Sequence, residues 1–82
     1  MEAKQEVGKV THFYPKISVA VVELKAKLTV GEKISILGKT TRLEQVVESM
    51  QIEHKEVRSA SPRQSIGLKV GDRVREGDVV CR

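Results

Sequence analysis

Tryptophan is absent from this 82-residue chain, and Phe13 and Tyr14 are its only aromatic residues. A core must therefore be assembled from Val, Ile, Leu and Met. The branched members of that set are stiff at χ1 and suit a pleated surface, which tilts the reading towards sheet. Cysteine is limited to Cys81, which excludes an internal disulfide and a cysteine-based zinc site. His12 and His54 are too few and too scattered to replace one, so no metal and no other cofactor is expected. Long apolar runs are also missing: none approaches the length of about 20 residues that spans a bilayer. Residues 1–8 are polar and charged, unlike a signal peptide, so the expected location is the cytoplasm with no membrane contact.

What is present is charge. Asp, Glu, Lys and Arg make up 32% of the chain with both signs mixed, the formal net charge is +4 and the pI about 9.5. That balance permits an acidic partner such as RNA without requiring one, because a Lys/Glu-rich surface is also an ordinary solubility device. The length allows one domain, 1–82, with residues 1–5 expected as a loose N-terminal tail. A domain this short buries only about 60% of the surface its unfolded chain exposes, so its core must be compact.

The apolar pattern is short and β-like. Residues 6–14 alternate loosely and stop at Pro15, which cannot donate to a ladder. Residues 17–24 form the strongest strand, with Ile17, Val19 and Val21 on one parity and Ala20, Val22 and Leu24 on the other. Apolar residues on both parities imply burial on both faces, or a bulge that switches the face. Val30-Gly31-Glu32 reads as a turn, 32–37 as a strand with Ile34 and Ile36 on one side, and Gly38-Lys39 as a tight turn. Residues 41–54 place Leu43, Val46, Val47 and Met50 at helical spacing, yet Thr40, Thr41, Val46 and Val47 are β-branched and no capping glycine follows. The segment is read as one long bent strand or two consecutive strands. Residues 58–64 contain Pro62 and read as a loop, 65–70 as a strand, and the glycines at 71 and 77 as turns before a last strand, 78–82. Short strands at regular spacing with glycine turns predict an all-β barrel or sandwich, and closure into a barrel would remove exposed edges.

Motifs that suggest chemistry mostly dissolve on inspection. Gly38-Lys39-Thr40 looks like the tail of a phosphate-binding loop, but six residues rather than four separate Gly31 from Gly38, and no apolar helix follows to hold the anion. No nucleotide is expected, and a hairpin turn is the better reading. The segment 70–79, with its doubled Gly-Asp, resembles a biotinyl or lipoyl carrier hairpin. It has no modifiable lysine at a turn tip downstream before Arg82. Ser49, Glu53 and His54 supply the residue types of a catalytic triad, but such roles need mutual geometry, and three polar residues this near in sequence more often face solvent. His12 beside Phe13 and Tyr14 reads as strand filling or local stacking, and Cys81 as a small apolar filler. No catalytic residues are expected, and the chain is read as a non-enzyme.

The order of these elements is nevertheless distinctive. Val7-Gly8-Lys9-Val10, 17–24 and Leu28-Thr29-Val30-Gly31-Glu32 come first, then Thr40-Thr41, Val47-Glu48-Ser49-Met50-Gln51, Ile66-Gly67-Leu68 and Arg75-Glu76-Gly77-Asp78-Val79-Val80. This order resembles the second-domain β-barrel of translation GTPases such as elongation factor Tu. It is similar to the small free-standing elongation-factor-like proteins of prokaryotes, and to the C-terminal barrel of some collagenase-like peptidases. The resemblance implies a small closed six-stranded barrel of the translation-factor second-domain type. This chain departs from that pattern in the loop before the Ile-Gly strand, where Pro62-Arg63 replaces the usual Pro-Gly.

Two functional expectations follow. The first is a non-catalytic module related to translation elongation factors, which contacts tRNA, ribosome or other RNA through basic loops. The alternative is a protein–protein docking barrel that associates with a larger enzyme or factor. Candidate RNA-binding residues are Lys25, Lys27, Lys39 and Arg42, whose loops could converge at one end of a barrel, and Arg58, Arg63, Arg73 and Arg75 as a second cluster. Set against them is the reading that these are solubilising charges interleaved with Glu32, Glu44, Glu56 and Glu76. The scarcity of aromatics also argues against a stacking platform for single strands. One continuous basic face would favour RNA, and an exposed apolar patch would favour a protein.

Overall fold

The computed structural model describes residues 5–82. In that stretch the alternation written into the sequence becomes ten strands and no helix. They are β1 (Glu6–Tyr14), β2 (Val19–Leu24), β3 (Leu28–Thr29), β4 (Lys33–Leu37), β5 (Arg42–Val46), β6 (Met50–Ile52), β7 (Lys55–Val57), β8 (Ser59–Ala60), β9 (Ser65–Lys69) and β10 (Val79–Cys81). The fold is all-β. No helix is long and apolar enough to cross a membrane among the described residues.

The six-stranded closed barrel is corrected in detail. Eight strands form one curled antiparallel sheet in the order β5-β4-β10-β1-β2-β9-β6-β7, and β3 pairs with β8 in a separate two-stranded sheet. The sheet's two edges are stitched by loop bonds rather than by a ladder. Val30 N–H donates to Arg58 C=O at 2.7 Å, Gly31 N–H to Val47 C=O at 2.9 Å, and Val47 N–H to Glu32 C=O at 2.8 Å. The Gln45 side chain bridges β5 to the end of β9, donating to Lys69 C=O at 2.9 Å and accepting from Gly71 N–H at 2.8 Å. These contacts manage the edges that a fully paired barrel would abolish.

Curvature comes from bulges. Val7 and Val10 are three positions apart, which would place them on opposite faces of a regular strand, yet both are fully buried. Register shifts lie between Glu6 and Gly8 against β10, and between Val10 and His12 against β2. Each extra residue coils β1 and keeps its apolar side chains inward. Gly8 sits where β2 approaches closely: a Cβ there would lie 2.7 Å from Val22 Cγ1. Val22, Leu24, Ile34, Ile36, Met50, Ile66, Leu68 and Val80 complete an aliphatic core, with Leu28 and Ala60 of the small sheet closing one side.

Strand β2 resolves the ambiguity of 17–24. Its register with β9 is continuous from Val19 to Glu23, so β2 has no face-switching bulge against that neighbour. Ala20, Val22 and Leu24 enter the core, while Val19 and Val21 are half-buried on the outside. The segment 41–54 is two strands, β5 and β6, separated at Val47–Ser49, where Val47 turns into the core. The loop 58–64 contains the short strand β8, which the polar composition conceals. Of the tail 1–5, residues 1–4 lie outside the described residues. Gln5 exchanges backbone hydrogen bonds with Arg82 at 3.0 and 2.9 Å.

Three turns share one design. In Thr29–Glu32, Ser61–Gln64 and Arg75–Asp78, the last N–H donates to the first C=O and the third residue has positive φ: Gly31 at 98°, Arg63 at 72° and Gly77 at 91°. In each, the last residue's side chain accepts from the first residue's N–H: Glu32 on Thr29, Gln64 on Ser61 and Asp78 on Arg75, at 2.7, 2.7 and 2.8 Å. These are type II turns. Pro62-Arg63 therefore keeps the turn that Pro-Gly would make, with Arg63 in the left-handed region.

Candidate functional site

The eight candidate cations sit on different connections and strand ends of the fold. Lys25 pairs with Glu6 beside β1, and the Lys27 carbonyl accepts from Arg82 at 2.6 Å, while Arg82 also bonds Glu32 at 3.1 Å. Arg82 thereby ties the Lys27 backbone to Glu32 just before β4, while Lys25 is held at the start of β1. Lys39 lies in the connection at the other end of β4, where Gly38 N–H donates to Thr41 C=O at 2.8 Å in a hairpin turn, and Arg42 opens β5. Lys39 instead meets Arg75 from the other cluster, across a recess of about 400 Å³ that also includes Glu76 and Asp78. Arg58 lies beside Val30 and Glu56 near the small sheet. Arg63 N–H donates to Leu24 C=O at 2.8 Å, at the end of β2. Arg73 is exposed in the connection from β9 to β10.

The residue types of a triad are likewise not assembled. Glu53 and His54 form the tip of the β6–β7 hairpin, whereas Ser49 precedes β6, and no hydrogen bond joins the three. His12 Nδ1 lies 3.0 Å from Glu76 Oε1, and its ring meets Tyr14 edge-on at 4.4 Å between centroids. This is the local stacking expected of it.

What the fold does gather is an apolar groove on the outside of β2, β9 and β6. Its floor follows from pairing. Val21 stands opposite Gly67 of β9, Val19 opposite Lys69, and Gln51 of β6 flanks Gly67 on the far side. Because Gly67 has no side chain, the outer surface dips there. Tyr14 at the end of β1 and Ile17 in the β1–β2 turn stand over the dip, 47% and 57% exposed. Glu53, His54 and Ser65 form a polar rim, and the cavity measures about 250 Å³. A second recess of about 610 Å³ continues from it past Ser49 and Lys69, sharing Ile17, Val19, Gln51 and Gly67. The positions missed in the sequence are those on the outer parity of 17–21. Their signal was legible in the apolar residues that occupy both parities there.

Comparison with known proteins gives one consistent answer. The model of the peptidase family U32 C-terminal domain matches residues 3–80. An uncharacterized protease of Methanocaldococcus jannaschii is 50% identical over 78 residues, 94% of this chain. The chain spans only 19% of that relative's length. Two crystal structures of the C-terminal domain of a Geobacillus thermoleovorans protein named as a U32 peptidase share the fold. The selenomethionine form has a TM-score of 0.90 at 21% identity, covering 95% of this chain and 99% of that one. The other has 0.87 at 21% identity, covering 95% and 92%. These findings overturn the expectation of a translation-factor-related RNA-binding module: the resemblance that holds is the one to the collagenase-like peptidase barrel. A fold does not carry its function with it.

Proposed function

The chain belongs to the peptidase family U32 C-terminal domain, and on that premise we propose that it is a non-catalytic docking barrel that associates with the peptidase portion of a U32-type protease. The observation that carries this reading is the match of residues 3–80 to the C-terminal domain of a peptidase family, in line with a relative of which the matching stretch is only 19%. Two features of the barrel support it. Glu53 and His54 form the tip of the β6–β7 hairpin while Ser49 lies before β6, at the hairpin's other end. The outer face of β2 presents apolar side chains in a groove, a feature of surfaces that meet proteins.

Sedimentation velocity tests the reading. The chain is mixed with the Methanocaldococcus jannaschii relative from which the matching segment has been removed. Docking predicts a faster co-sedimenting boundary that contains both. Independent sedimentation at concentrations well above micromolar would contradict it.

A further inference from the structure

We propose that the groove over Gly67, walled by Tyr14, Ile17, Val19 and Val21, is the face that docks on the peptidase portion and receives an apolar ridge from it; this inference rests on the docking reading above. Large exposed hydrophobic residues are few here: among the described residues they are Tyr14, Ile17 and Val46. Val46 is isolated on β5, and single apolar residues on a surface need no explanation. Tyr14 and Ile17 instead flank one cavity whose floor is already apolar. An aromatic ring beside branched aliphatic groups, inside a polar rim, matches the centre-and-rim arrangement of a protein interface.

The floor is kept open by composition. A Cβ at residue 67 would lie 3.3 Å from Val19 Cγ1, so any side chain there would crowd and fill the dip. The borders are also conformationally costly. Of the non-glycine residues with positive φ, Ser18 follows Ile17, and Glu53 and His54 line the groove. The hairpin turn itself requires positive φ at Glu53 and His54, and the use of non-glycine residues there places two polar side chains on the groove's rim.

The occupant follows from chain length and chemistry. In the Methanocaldococcus jannaschii relative, the matching segment is 19% of the protein, so a body several times its size is tethered to the barrel. A tether gives a high effective concentration, so even a modest apolar contact is populated. Charge is kept to the borders of the apolar floor, with Glu53 on the rim and Glu48 and Lys69 in the adjoining recess. Lys69, the nearest cation of β9, is engaged with Ile17 C=O at 3.1 Å. An apolar ridge with hydrogen-bonding flanks, facing Gln51, Glu53 and His54, is the surface that fits.

The test is hydroxyl-radical footprinting of a chimera, in which these 82 residues replace the matching segment of the relative. Labelling of Tyr14 and Ile17 is compared with that of the isolated chain. Docking through this groove predicts a fall of about threefold or more at both, as half-exposed side chains enter an interface core. The Ile17→Glu chimera should return Tyr14 to its isolated-chain level, and the isolated Ile17→Glu chain should melt as the parent does. Protection confined to another face, for example around Val46, would overturn this surface and leave the docking reading intact. No protection anywhere on the barrel would overturn both.

Discussion

Gly38 and Asp78 occupy one space: a Cβ built on Gly38 would collide with the Oδ1 of the buried Asp78 carboxylate. Asp78 accepts from Arg75 N–H at 2.8 Å, closing the turn that delivers β10 between β4 and β1. The glycine that seemed part of a phosphate loop is there to admit this carboxylate.

Gly38→Ala should therefore destabilise the barrel by about 1–3 kcal/mol, the usual cost of overpacking. At about 4–8 °C per kcal/mol for a domain of this size, the loss is visible in a thermal melt. An unchanged midpoint would show that the turn relaxes freely.

The β6–β7 hairpin has a two-residue tip, Glu53 and His54, at φ of 51° and 65°. Positive φ at both positions marks a type I′ turn, which favours Asn-Gly. Replacing the pair with Asn-Gly should raise stability by about 1–2 kcal/mol, since a left-handed conformation costs an L-residue about that much. The same variant should dock less well in the chimera if the rim contributes polar contacts, a trade of function for stability. Chemical denaturation and the footprint measure the two effects separately.

Arg63→Gly is expected to gain less. The turn wants φ of 72° at this position, and glycine reaches it without strain, but glycine also loses more conformational freedom on folding. The net expectation is a stabilisation below about 1 kcal/mol. A clear destabilisation in denaturant titration would mean that the Arg63 side chain contributes to the fold beyond its turn.

Leu28→Ala tests closure. Leu28 is fully buried in β3 opposite Ala60 of β8, the pair that covers the gap the curled sheet leaves. A loss of about 2–5 kcal/mol is expected, enough to leave so small a domain marginal. A loss under 1 kcal/mol would show that the small sheet is an appendage.

Much of this architecture was legible from local chemistry. Glycine turns at 31 and 77, the stop at Pro15, and alternation in β9 all report on neighbours within a few residues. What stayed hidden depends on partners distant in sequence. The three-position spacing of Val7 and Val10 needs bulges that only β2 and β10 reveal. Strand β8 is a strand only because Leu28 and Thr29 lie beside it. The Glu53-His54 turn carries no glycine to announce itself. The cations were visible in sequence as charge, whereas the pairing of Lys25 with Glu6 and the recess shared by Lys39 and Arg75 exist only in the fold. The groove was under-read for the converse reason: the apolar outer parity of β2 was plain, but Gly67 lies opposite Val21 only after pairing.

Docking of this barrel on a peptidase body is measured by scanning calorimetry of the chimera. A docked barrel shares its stability with its neighbour, so its transition should merge with that of the peptidase portion or rise clearly above the isolated chain's midpoint. A barrel transition at the isolated chain's own midpoint, unchanged by the tethered peptidase portion, would mean that the barrel does not dock.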